Sequence, residues 1–158
     1  MLKNVSLIVF DFDGVMTDNR VYVFEDGREA VACNRSDGLG VTMLKAAGFD
    51  MLILSTETNP VVARRAEKLK LPYLHGIGDK GSALKEIAAD RGIATSNIAM
   101  VGNDLNDMPA MQLAGLSFAP ADAHPDILMI ADHVTKTKGG EGVVRELAEY
   151  FSTDIKVT

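Results

Sequence analysis

The run Leu7-Ile8-Val9-Phe10-Asp11-Phe12-Asp13-Gly14-Val15-Met16-Thr17 decides the fold. Its apolar first part leads into a glycine turn, which predicts a buried central strand of a parallel sheet. Asp11 and Asp13 follow this strand, at the carboxyl edge where open α/β folds bind ligands. Their carboxylates would repel each other by about 1 kcal/mol at about 4 Å in water, so we expect a cation between them. Mg²⁺ suits such oxygen ligands, although an isolated Asp-x-Asp sequence more often only begins a turn.

Strand and helix patterns alternate along the rest of the chain. The alternation predicts one α/β domain over residues 1–158, with helices on both faces of a parallel sheet. Further strands are expected at residues 51–54, 71–74, 98–101, 116–118 and 131–134, the last two as edge strands. Helices are expected between residue 37 and Gly48, after Asn59-Pro60, between Lys80 and Gly92, from residue 108 to Gly115, and from about residue 141 to 151.

Two short strands around the Asp26-Gly27 turn predict a β-hairpin, here called the flap, at about residues 20–34. Its first strand, residues 21–24, is apolar on both faces. A lone hairpin is marginally stable in water. We therefore expect one face to pack on the domain or roof the site and the other to contact another subunit. A hairpin packed within the monomer is the alternative.

Composition narrows the classes of protein that fit. The chain is 47% hydrophobic and 24% charged, which is ordinary for a soluble globular protein. A net charge of −6 argues against a general nucleic-acid binder. No apolar window is long enough to span a membrane, and the N-terminus lacks a signal-peptide pattern. Because Cys33 is the only cysteine, a reducing cytoplasm is the expected location.

The loops that follow the predicted strands ending at Phe10, Leu54 and Val101 should meet at one edge of the sheet. They carry Asp11, Asp13, Ser55, Asn103, Asp104 and Asp107. This set has the makeup of a phosphoryl-transfer site. One carboxylate can act as nucleophile and a second as general acid and base. A hydroxyl and a lysine can neutralise phosphoryl oxygens, while the acidic loop residues hold a metal.

The same residues resemble the haloacid dehalogenase superfamily of phosphatases that use an aspartate nucleophile. Its DxDG motif matches residues 11–14, its strand-ending Ser or Thr matches Ser55, its helix-opening lysine matches Lys80, and its acidic loop matches residues 102–107. The resemblance implies that Asp11 is the nucleophile and Asp13 the acid and base. It also implies that Ser55 binds phosphate and that Lys80 stabilises the nucleophile and the phosphoryl charge.

The metal ligands implied by the resemblance are Asp11, Asp13, Asn103, Asp104 and Asp107, with Mg²⁺ as the cofactor. The chain departs from the family at Asn103, where the superfamily usually carries an aspartate ligand. An amide oxygen can still coordinate a metal, with Asp104 and Asp107 acting directly or from further out. Which of the three contacts the ion stays open at this point.

The resemblance extends to the capless group that contains 3-deoxy-D-manno-octulosonate 8-phosphate phosphatase and the nine-carbon ulosonate 9-phosphate phosphatases. It implies a Rossmann-like three-layer α/β/α fold with a β-hairpin flap and no cap domain. It also implies a homotetramer in which each flap helps to close a neighbouring site. The candidate substrate-binding residues are Gly14, Thr56, Glu57, Arg65 and Arg145.

The charged substrate candidates each have a plainer alternative. Glu57 would face the mouth of the pocket, or would serve only as a charge at the start of a helix. Arg64 and Arg65 are adjacent and cannot both point inward on a helix. One of them would bind the substrate carboxylate, and the other would be a solvated surface charge. Arg145 would reach a carboxylate or phosphate, or be an ordinary surface residue.

The sequence thus predicts a Mg²⁺-dependent phosphatase that acts on a phosphorylated acidic sugar of eight or nine carbons. The run Ser55-Thr56-Glu57-Thr58 favours the nine-carbon sugars by a weak analogy. The alternative is a non-catalytic oligomerisation module, like the domain fused to sialic-acid cytidylyltransferases. A phosphoacceptor signalling domain is a third hypothesis. An acid and base two positions from the acceptor disfavours it, because Asp13 would promote turnover.

Overall fold

The computed structural model describes residues 4–155, with side chains described as far as Ser152. It contains a large parallel sheet and a separate two-stranded hairpin. The strands are β1 (Leu7–Phe10), β2 (Tyr22–Val23), β3 (Glu29–Ala30), β4 (Asp50–Leu54), β5 (Tyr73–Leu74), β6 (Ile98–Val101), β7 (Leu116–Ala119) and β8 (His133–Val134). The order in the large sheet is β5-β4-β1-β6-β7-β8.

The central strand β1 pairs in parallel with β4 on one side and β6 on the other. All its residues are buried, because side chains on both faces of this strand are apolar and both faces are covered by helices. Ile8 and Phe10 belong to the core on one face, whereas Leu7 and Val9 belong to the core on the other. Asp11, the next residue, is therefore delivered to the carboxyl edge of the sheet at its centre.

Helices cover both faces of the sheet. They are α1 (Ser36–Ala46), α2 (Pro60–Leu69), α3 (Lys80–Arg91), α4 (Met108–Leu113), α5 (Pro125–Ile130) and α6 (Val143–Ile155). Residues of α1, α2 and α6 share one core, and residues of α3, α4 and α5 share the other. Within residues 4–155, none of these helices combines the length and apolar character needed to cross a bilayer.

The starts of α2 and α3 are fixed by side chains that accept hydrogen bonds from otherwise unpaired backbone N–H groups. Asn59 Oδ1 accepts from Val61 N at 3.0 Å, and Asp79 Oδ1 accepts from Ser82 N at 2.9 Å. The second cap is important for the site because α3 begins with Lys80. The cap therefore fixes the first turn of α3, from which the Lys80 side chain extends.

Asp37 ties the start of α1 to the start of α6. Its Oδ1 accepts a hydrogen bond from Arg145 N at 3.3 Å. Burial raises the pKa of the Asp37 carboxyl to about 6, although the backbone hydrogen bond from Arg145 and the charge of Arg65 oppose the rise. Asp37 therefore helps to fix the first turn of α6, which follows the loop after β8.

The predicted fold class, a three-layer α/β/α parallel sheet with a hairpin, is confirmed. Several local predictions were wrong. The strand at residues 116–118 is not an edge strand, because β7 lies between β6 and β8. Helix α5 was not predicted, since its six residues are too few to show a helical period. Helix α6 begins at Val143 instead of about residue 141 and continues to Ile155.

The flap is shorter than predicted. Only two residue pairs, Tyr22 with Ala30 and Val23 with Glu29, form its ladder, and a single bridge joins Thr17 to Cys33. Tyr22 and Val23 are 65% and 69% exposed, so the first strand does not pack on the domain. Val21 and Val31, at the base of the flap, line the cavity described below.

Candidate active site

Asp11 lies at the bottom of the site, and its position is set by β1 and by the turn that follows. Its backbone N–H donates to Val101 O at 2.9 Å, which continues the pairing of β1 with β6. The residue is only 5% exposed, and its Oδ1 accepts from Phe12 N at 2.8 Å. One carboxylate oxygen is thus fixed by the backbone.

Lys80 joins Asp11 to Asp107. Its Nζ donates to Asp11 Oδ1 at 2.7 Å and to Asp107 Oδ1 at 2.6 Å, and its side chain is fully buried. Burial lowers the pKa of Lys80, but the charges of Asp11 and Asp107 outweigh burial, so the pKa is raised overall. The lysine therefore stays cationic. Its charge lies against the predicted nucleophile.

Asp11 is held in an environment that disfavours a free carboxylate. Burial and the charge of Asp107 raise its pKa to about 8, although Lys80 opposes the rise. A second cation near the carboxylate would favour its ionised form. The site is therefore electrostatically suited to bind a metal ion next to Asp11.

Asp107 supports the loop after β6. Its Oδ2 accepts from Asn103 N at 2.9 Å and from Asp104 N at 3.2 Å, while its Oδ1 accepts from Lys80. Both oxygens are therefore in use within the protein. Asp104 is exposed and caps the short 3₁₀ turn Leu105–Asp107, with its Oδ1 accepting from Leu105 N at 2.7 Å. The structure therefore orients both carboxylates toward the loop itself.

The side-chain amide of Asn103 lies beside Asp11. One of its two terminal atoms is 2.8 Å from Asp11 Oδ2 and 2.9 Å from the backbone carbonyl oxygen of Asp13. With the nitrogen at this position, the amide donates a hydrogen bond to both oxygens. With the oxygen there, Asn103, Asp11 Oδ2 and the Asp13 carbonyl form a set of three oxygen atoms, here called the oxygen set, that a cation would hold together. In octahedral Mg²⁺ coordination at about 2.1 Å, adjacent ligand oxygens lie about 3 Å apart, so these residues fit the ion.

Gly14 makes room for this arrangement. A Cβ atom at Gly14 would overlap the side-chain amide of Asn103, and the residue has φ +83°. Both facts favour glycine, because L-residues with a side chain rarely adopt this backbone conformation. The predicted role of Gly14 in binding substrate stays a prediction. In the structure Gly14 lies against the Asn103 amide, and its backbone N–H donates to Thr17 Oγ1 at 3.2 Å.

Asp13 lies above Asp11, half-buried, at the entrance of the site. Its Oδ1 accepts a hydrogen bond from Thr17 Oγ1 at 3.2 Å. Burial raises the pKa of Asp13, the Thr17 hydrogen bond lowers it, and the charge of Glu57 raises it, with a net upward shift. A raised pKa suits a group that must donate a proton and then recover it.

The loop after β4 supplies the polar side of the site. Ser55 is buried, and its Oγ accepts from Glu57 N at 3.1 Å. Thr56 Oγ1 accepts a 3.4 Å hydrogen bond from Asn106 Nδ2, which links this loop to the loop after β6. The Ser55 hydroxyl proton is thus available to a bound phosphate.

A cavity of about 170 Å³ opens above Asp13, between the flap and the start of α2. Asp13, Glu29 and Glu57 supply its carboxylates, Asn19 and Asn59 its amides, and valines its apolar wall. Asn59 Nδ2 donates to Glu29 Oε2 at 2.6 Å and so joins the flap to α2. The only cation among its described lining residues is Arg20.

Sequence reasoning missed Arg20. The arginine follows the Asp11–Thr17 turn at the first residue of the flap, and that position was the only available signal. Arg65 and Arg145 do not line the cavity of their own chain. Arg65 donates to Asn34 O at 3.0 Å, and Arg145 forms an ion pair with Glu149 at 2.8 Å.

Comparisons with known proteins agree with this geometry. Residues 73–147 match the haloacid dehalogenase-like hydrolase family. The chain is 36% identical to 3-deoxy-D-manno-octulosonate 8-phosphate phosphatase of Escherichia coli K12, over 93% of this chain and 79% of that protein. A HAD family hydrolase from Streptomyces avermitilis is 48% identical with a TM-score of 0.91, covering 95% of this chain and 86% of that chain.

A third relative was solved with ligands. The 3-deoxy-D-manno-octulosonate 8-phosphate phosphatase from Moraxella catarrhalis, in complex with magnesium, phosphate and KDO, is 30% identical with a TM-score of 0.93. The match covers 99% of this chain and 93% of that chain.

The fold and the site define a phosphoric monoester hydrolase. The chain belongs to the haloacid dehalogenase-like hydrolases, in the group that contains the 3-deoxy-D-manno-octulosonate 8-phosphate phosphatases. The predicted enzyme class is therefore confirmed, and the non-catalytic module is not supported.

Proposed function

We propose that this chain hydrolyses the phosphomonoester of an acidic 3-deoxy-2-ulosonate of eight or nine carbons, with Mg²⁺ and through an aspartyl-phosphate. The observation that carries the proposal is the environment of Asp11. One of its oxygens is held by Lys80 at 2.7 Å, and the other belongs to the oxygen set, which fits a divalent cation. The names of the relatives support an ulosonate substrate, with eight carbons as the first candidate.

In the proposed reaction the Asp11 carboxylate attacks phosphorus, and the bond from phosphorus to the sugar oxygen breaks. Asp13 donates a proton to the departing oxygen, which leaves as the alcohol. Asp13 then takes a proton from water, and the water oxygen attacks the acyl phosphate to restore Asp11 and release phosphate. The raised pKa of Asp13 supports its role as the proton donor in the first step.

The phosphoryl oxygens gain negative charge in both steps. Lys80 and the Ser55 hydroxyl would neutralise part of this charge, and the burial of both residues and the contact of Lys80 with Asp11 support these roles. Asp11, the Asp13 carbonyl and Asn103 would hold Mg²⁺, which supplies further charge stabilisation when bound. In this proposal Asp107 and Asp104 position the loop. Both carboxylate oxygens of Asp107 already accept hydrogen bonds, one from Lys80 and the other from backbone N–H groups.

Substrate specificity is proposed to come from the cavity between the flap and α2. Arg20 would bind the sugar carboxylate. Glu57 would accept hydrogen bonds from sugar hydroxyls, and Asn59 would accept hydrogen bonds from them or donate hydrogen bonds to them. Arg65 and Arg145 do not line this cavity, so in this proposal either would reach a carboxylate only in a neighbouring subunit. Thr56 supports the loop that carries Glu57.

A homotetramer is part of the proposal, on the strength of the resemblance and of the flap. Within the described residues, Tyr22, Val23 and Phe24 are each more than half exposed, and all three are apolar or aromatic. Contact with a neighbour would bury them.

The free thiol of Cys33 suits a reducing compartment, and we place the protein in the cytoplasm.

The proposal is tested by phosphate release from octulosonate 8-phosphate, nononate 9-phosphate and an aryl phosphate. Each substrate is assayed with Mg²⁺ and with EDTA. We expect release that requires the metal and favours one ulosonate, because charge in the transition state needs a cation next to Asp11. The preferred ulosonate gives the chain length of the sugar. Equal release with EDTA, or no preference for either ulosonate, would contradict the proposal.

Replacing Arg20 with Ala is expected to raise KM for the preferred ulosonate about tenfold and to leave kcat nearly unchanged. An exposed charge-assisted contact of about 1.4 kcal/mol corresponds to that factor. The KM for the aryl phosphate should not change, because this substrate has no carboxylate. Steady-state kinetics on both substrates measure the difference.

Arg64→Ala is the matched control, since Arg64 is an exposed arginine that pairs with Glu67 on the surface of α2. Its kinetics should equal those of the wild type. If Arg65→Ala raises KM for the ulosonate and Arg20→Ala does not, the carboxylate is bound by a neighbouring subunit. The assignment to Arg20 is then wrong.

A further inference from the structure

The loop between β8 and α6, residues 135–142, lies against the back of the turn that carries Asp13. We call this loop the glycine strap. Gly140 N donates to Val15 O at 3.1 Å. A Cβ atom at Gly139 would overlap Gly14 O and lie 2.9 Å from Thr17 O. The backbones of strap and turn therefore touch without side chains between them, which only glycine permits.

Gly140 makes the second close approach. It has φ +77°, and a Cβ atom there would lie 2.7 Å from the carbonyl carbon of Thr17 and would overlap Asp18 N. Both space and backbone conformation therefore favour glycine at this position. A side chain at either residue would push the strap away from the turn.

The strap is anchored at two points by carboxylates outside the cavity. Glu146, on the first turn of α6, accepts from Lys136 N at 2.8 Å, Thr137 N at 2.9 Å and Thr137 Oγ1 at 2.8 Å. In the middle of the strap, Gly139 N donates to Asp122 Oδ1 at 2.9 Å. These hydrogen bonds fix the position of the glycine strap relative to the turn that carries Asp13.

The part of the turn that rests on the strap is the part that holds Asp13. Thr17 Oγ1 donates to Asp13 Oδ1 at 3.2 Å and accepts from Gly14 N at 3.2 Å and Asn19 N at 3.1 Å. Gly139 and Gly140 contact the backbone of Thr17 itself. A shift of the strap would therefore move the hydroxyl that orients the Asp13 carboxylate.

Asp11 is held by different contacts. Its backbone continues β1, and its carboxylate is fixed by Phe12 N and Lys80. None of these groups belongs to the strap. Loosening the strap should therefore displace the side-chain carboxylate of Asp13, which Thr17 orients, and leave the Asp11 carboxylate in place.

We infer that the glycine strap positions Asp13 for proton transfer, with Glu146 and Asp122 as positioning residues that act through Thr17. The inference rests on the proposed function, in which Asp13 protonates the leaving oxygen. Neither anchor lines the cavity or touches substrate. A proton donor needs to be within hydrogen-bond reach of the departing oxygen, so a small displacement of Asp13 lowers the rate.

The inference makes a specific prediction about leaving groups. An alkyl oxygen is a poor leaving group and needs a proton from Asp13, whereas dinitrophenolate leaves without one. We therefore compare first-turnover release from an alkyl phosphate (the preferred ulosonate phosphate or glycerol phosphate) with release from 2,4-dinitrophenyl phosphate. In Glu146→Ala, the rate at which the alcohol is released from the alkyl phosphate in the first turnover should fall about tenfold. This loss is smaller than the full effect of removing an acid catalyst. Release of dinitrophenol in the first turnover should be unchanged.

Asp122 provides a milder and better matched pair of variants. Asp122→Ala removes the acceptor for Gly139 N and should show the same selective loss, at about threefold. Asp122→Asn keeps an oxygen acceptor and should restore wild-type rates. Glu86→Gln, an exposed glutamate on α3, is the control for loss of a carboxylate charge. If Glu146→Ala does not fold, the Asp122 pair decides the question.

Two results separate the inference from the proposed function. If the wild type cleaves the phosphates but the anchor variants lose both first turnovers equally, or lose neither, the positioning role is overturned and the proposed function stands. If the wild type cleaves none of them, both are overturned. A loss of first-turnover rate with the alkyl phosphate alone, which is absent in Asp122→Asn, would support the inference that the glycine strap positions Asp13.

Discussion

Replacing Asp11 with Asn is expected to lower kcat for every phosphomonoester by about 10⁴-fold or more. The loss of a nucleophile has effects of this size in other enzymes that form covalent intermediates. An amide cannot form the acyl phosphate, while the proposed metal ligands Asn103 and the Asp13 carbonyl remain. Steady-state kinetics measure the loss, and mass spectrometry of acid-quenched protein should find a phosphoryl adduct on the wild type alone.

The same variant should keep its fold. Asp11 Oδ1 accepts from Phe12 N, and an amide oxygen can do the same. The new amide nitrogen would replace Oδ2, 2.8 Å from the Asn103 side-chain oxygen, where it can donate a hydrogen bond. Because burial and Asp107 raise the pKa of Asp11 to about 8, an ionised carboxylate here is unfavourable without metal. Asp11→Asn should therefore be no less stable than the wild type in EDTA.

Asp90→Asn is the control, because Asp90 is an exposed aspartate on α3. It should keep wild-type kinetics, which excludes a general effect of losing one negative charge. If Asp11→Asn turned over substrate within about tenfold of the wild type, nucleophilic catalysis by Asp11 would be ruled out. Water would then have to attack phosphorus directly.

Much of the fold could be predicted because its central strands are unambiguous. The runs that became β1, β4 and β6 are apolar on both faces, which only a strand covered by helices on both sides requires. In a parallel sheet the ends of such strands must meet at one edge. The meeting of Asp11, Ser55 and Asn103 therefore follows from three local patterns and one topological rule.

Side-chain direction within the loops could not be predicted. Asn103 and Asp107 are both polar residues of one loop, and their spacing alone does not say which faces Asp11. The turn from Asp104 to Asp107 points Asp107 back at two backbone N–H groups and at Lys80, and leaves Asn103 beside Asp11 in the oxygen set. The contribution of the Asp13 backbone oxygen has no sequence signal, because every residue has a carbonyl.

The directions of the arginine side chains could not be predicted from the sequence either. Whether Arg65 faces the cavity depends on how α2 is rotated about its axis, which is set by Val62, Ala66 and Leu69 in the core. That rotation carries Arg65 toward the carbonyl of Asn34. Arg20 belongs to no helix and matches no motif, so only the folded flap shows that it lines the cavity.

Replacing Lys80 with Met is expected to cost both stability and activity. The ammonium is the shared partner of two buried carboxylates, at 2.7 Å from Asp11 and 2.6 Å from Asp107. Its removal leaves the two buried carboxyl groups without a cation beside them, and breaking a buried pair in this way typically costs about 3–5 kcal/mol. The rate should also fall by about 10²–10³, because one charged donor to the phosphoryl oxygens is lost.

The stability loss in Lys80→Met should depend on pH. The pKa of Asp11 is already raised, with Lys80 acting against the rise, so without Lys80 it rises further. A carboxyl with a raised pKa in the folded state stabilises the fold when protonated, and that stability is lost as pH rises through the folded pKa. Below about pH 8 Asp11 is protonated in both folded proteins, so the difference in unfolding free energy between wild type and variant should be constant there and should grow as the pH rises above about 8. Urea unfolding in EDTA, followed by circular dichroism at several pH values, measures it.

Lys85→Met is the matched control, since Lys85 lies on the same helix and is exposed. Its removal should change the unfolding free energy by less than about 0.5 kcal/mol at any pH, because surface substitutions rarely do more. A Lys80→Met protein that loses no further stability relative to this control above about pH 8 would mean that Lys80 does not oppose the rise in the pKa of Asp11. The charge of Lys80 would then not favour the ionised Asp11 carboxylate that attacks phosphorus. The size of the loss above about pH 8 thus measures how strongly Lys80 favours the ionised form of Asp11.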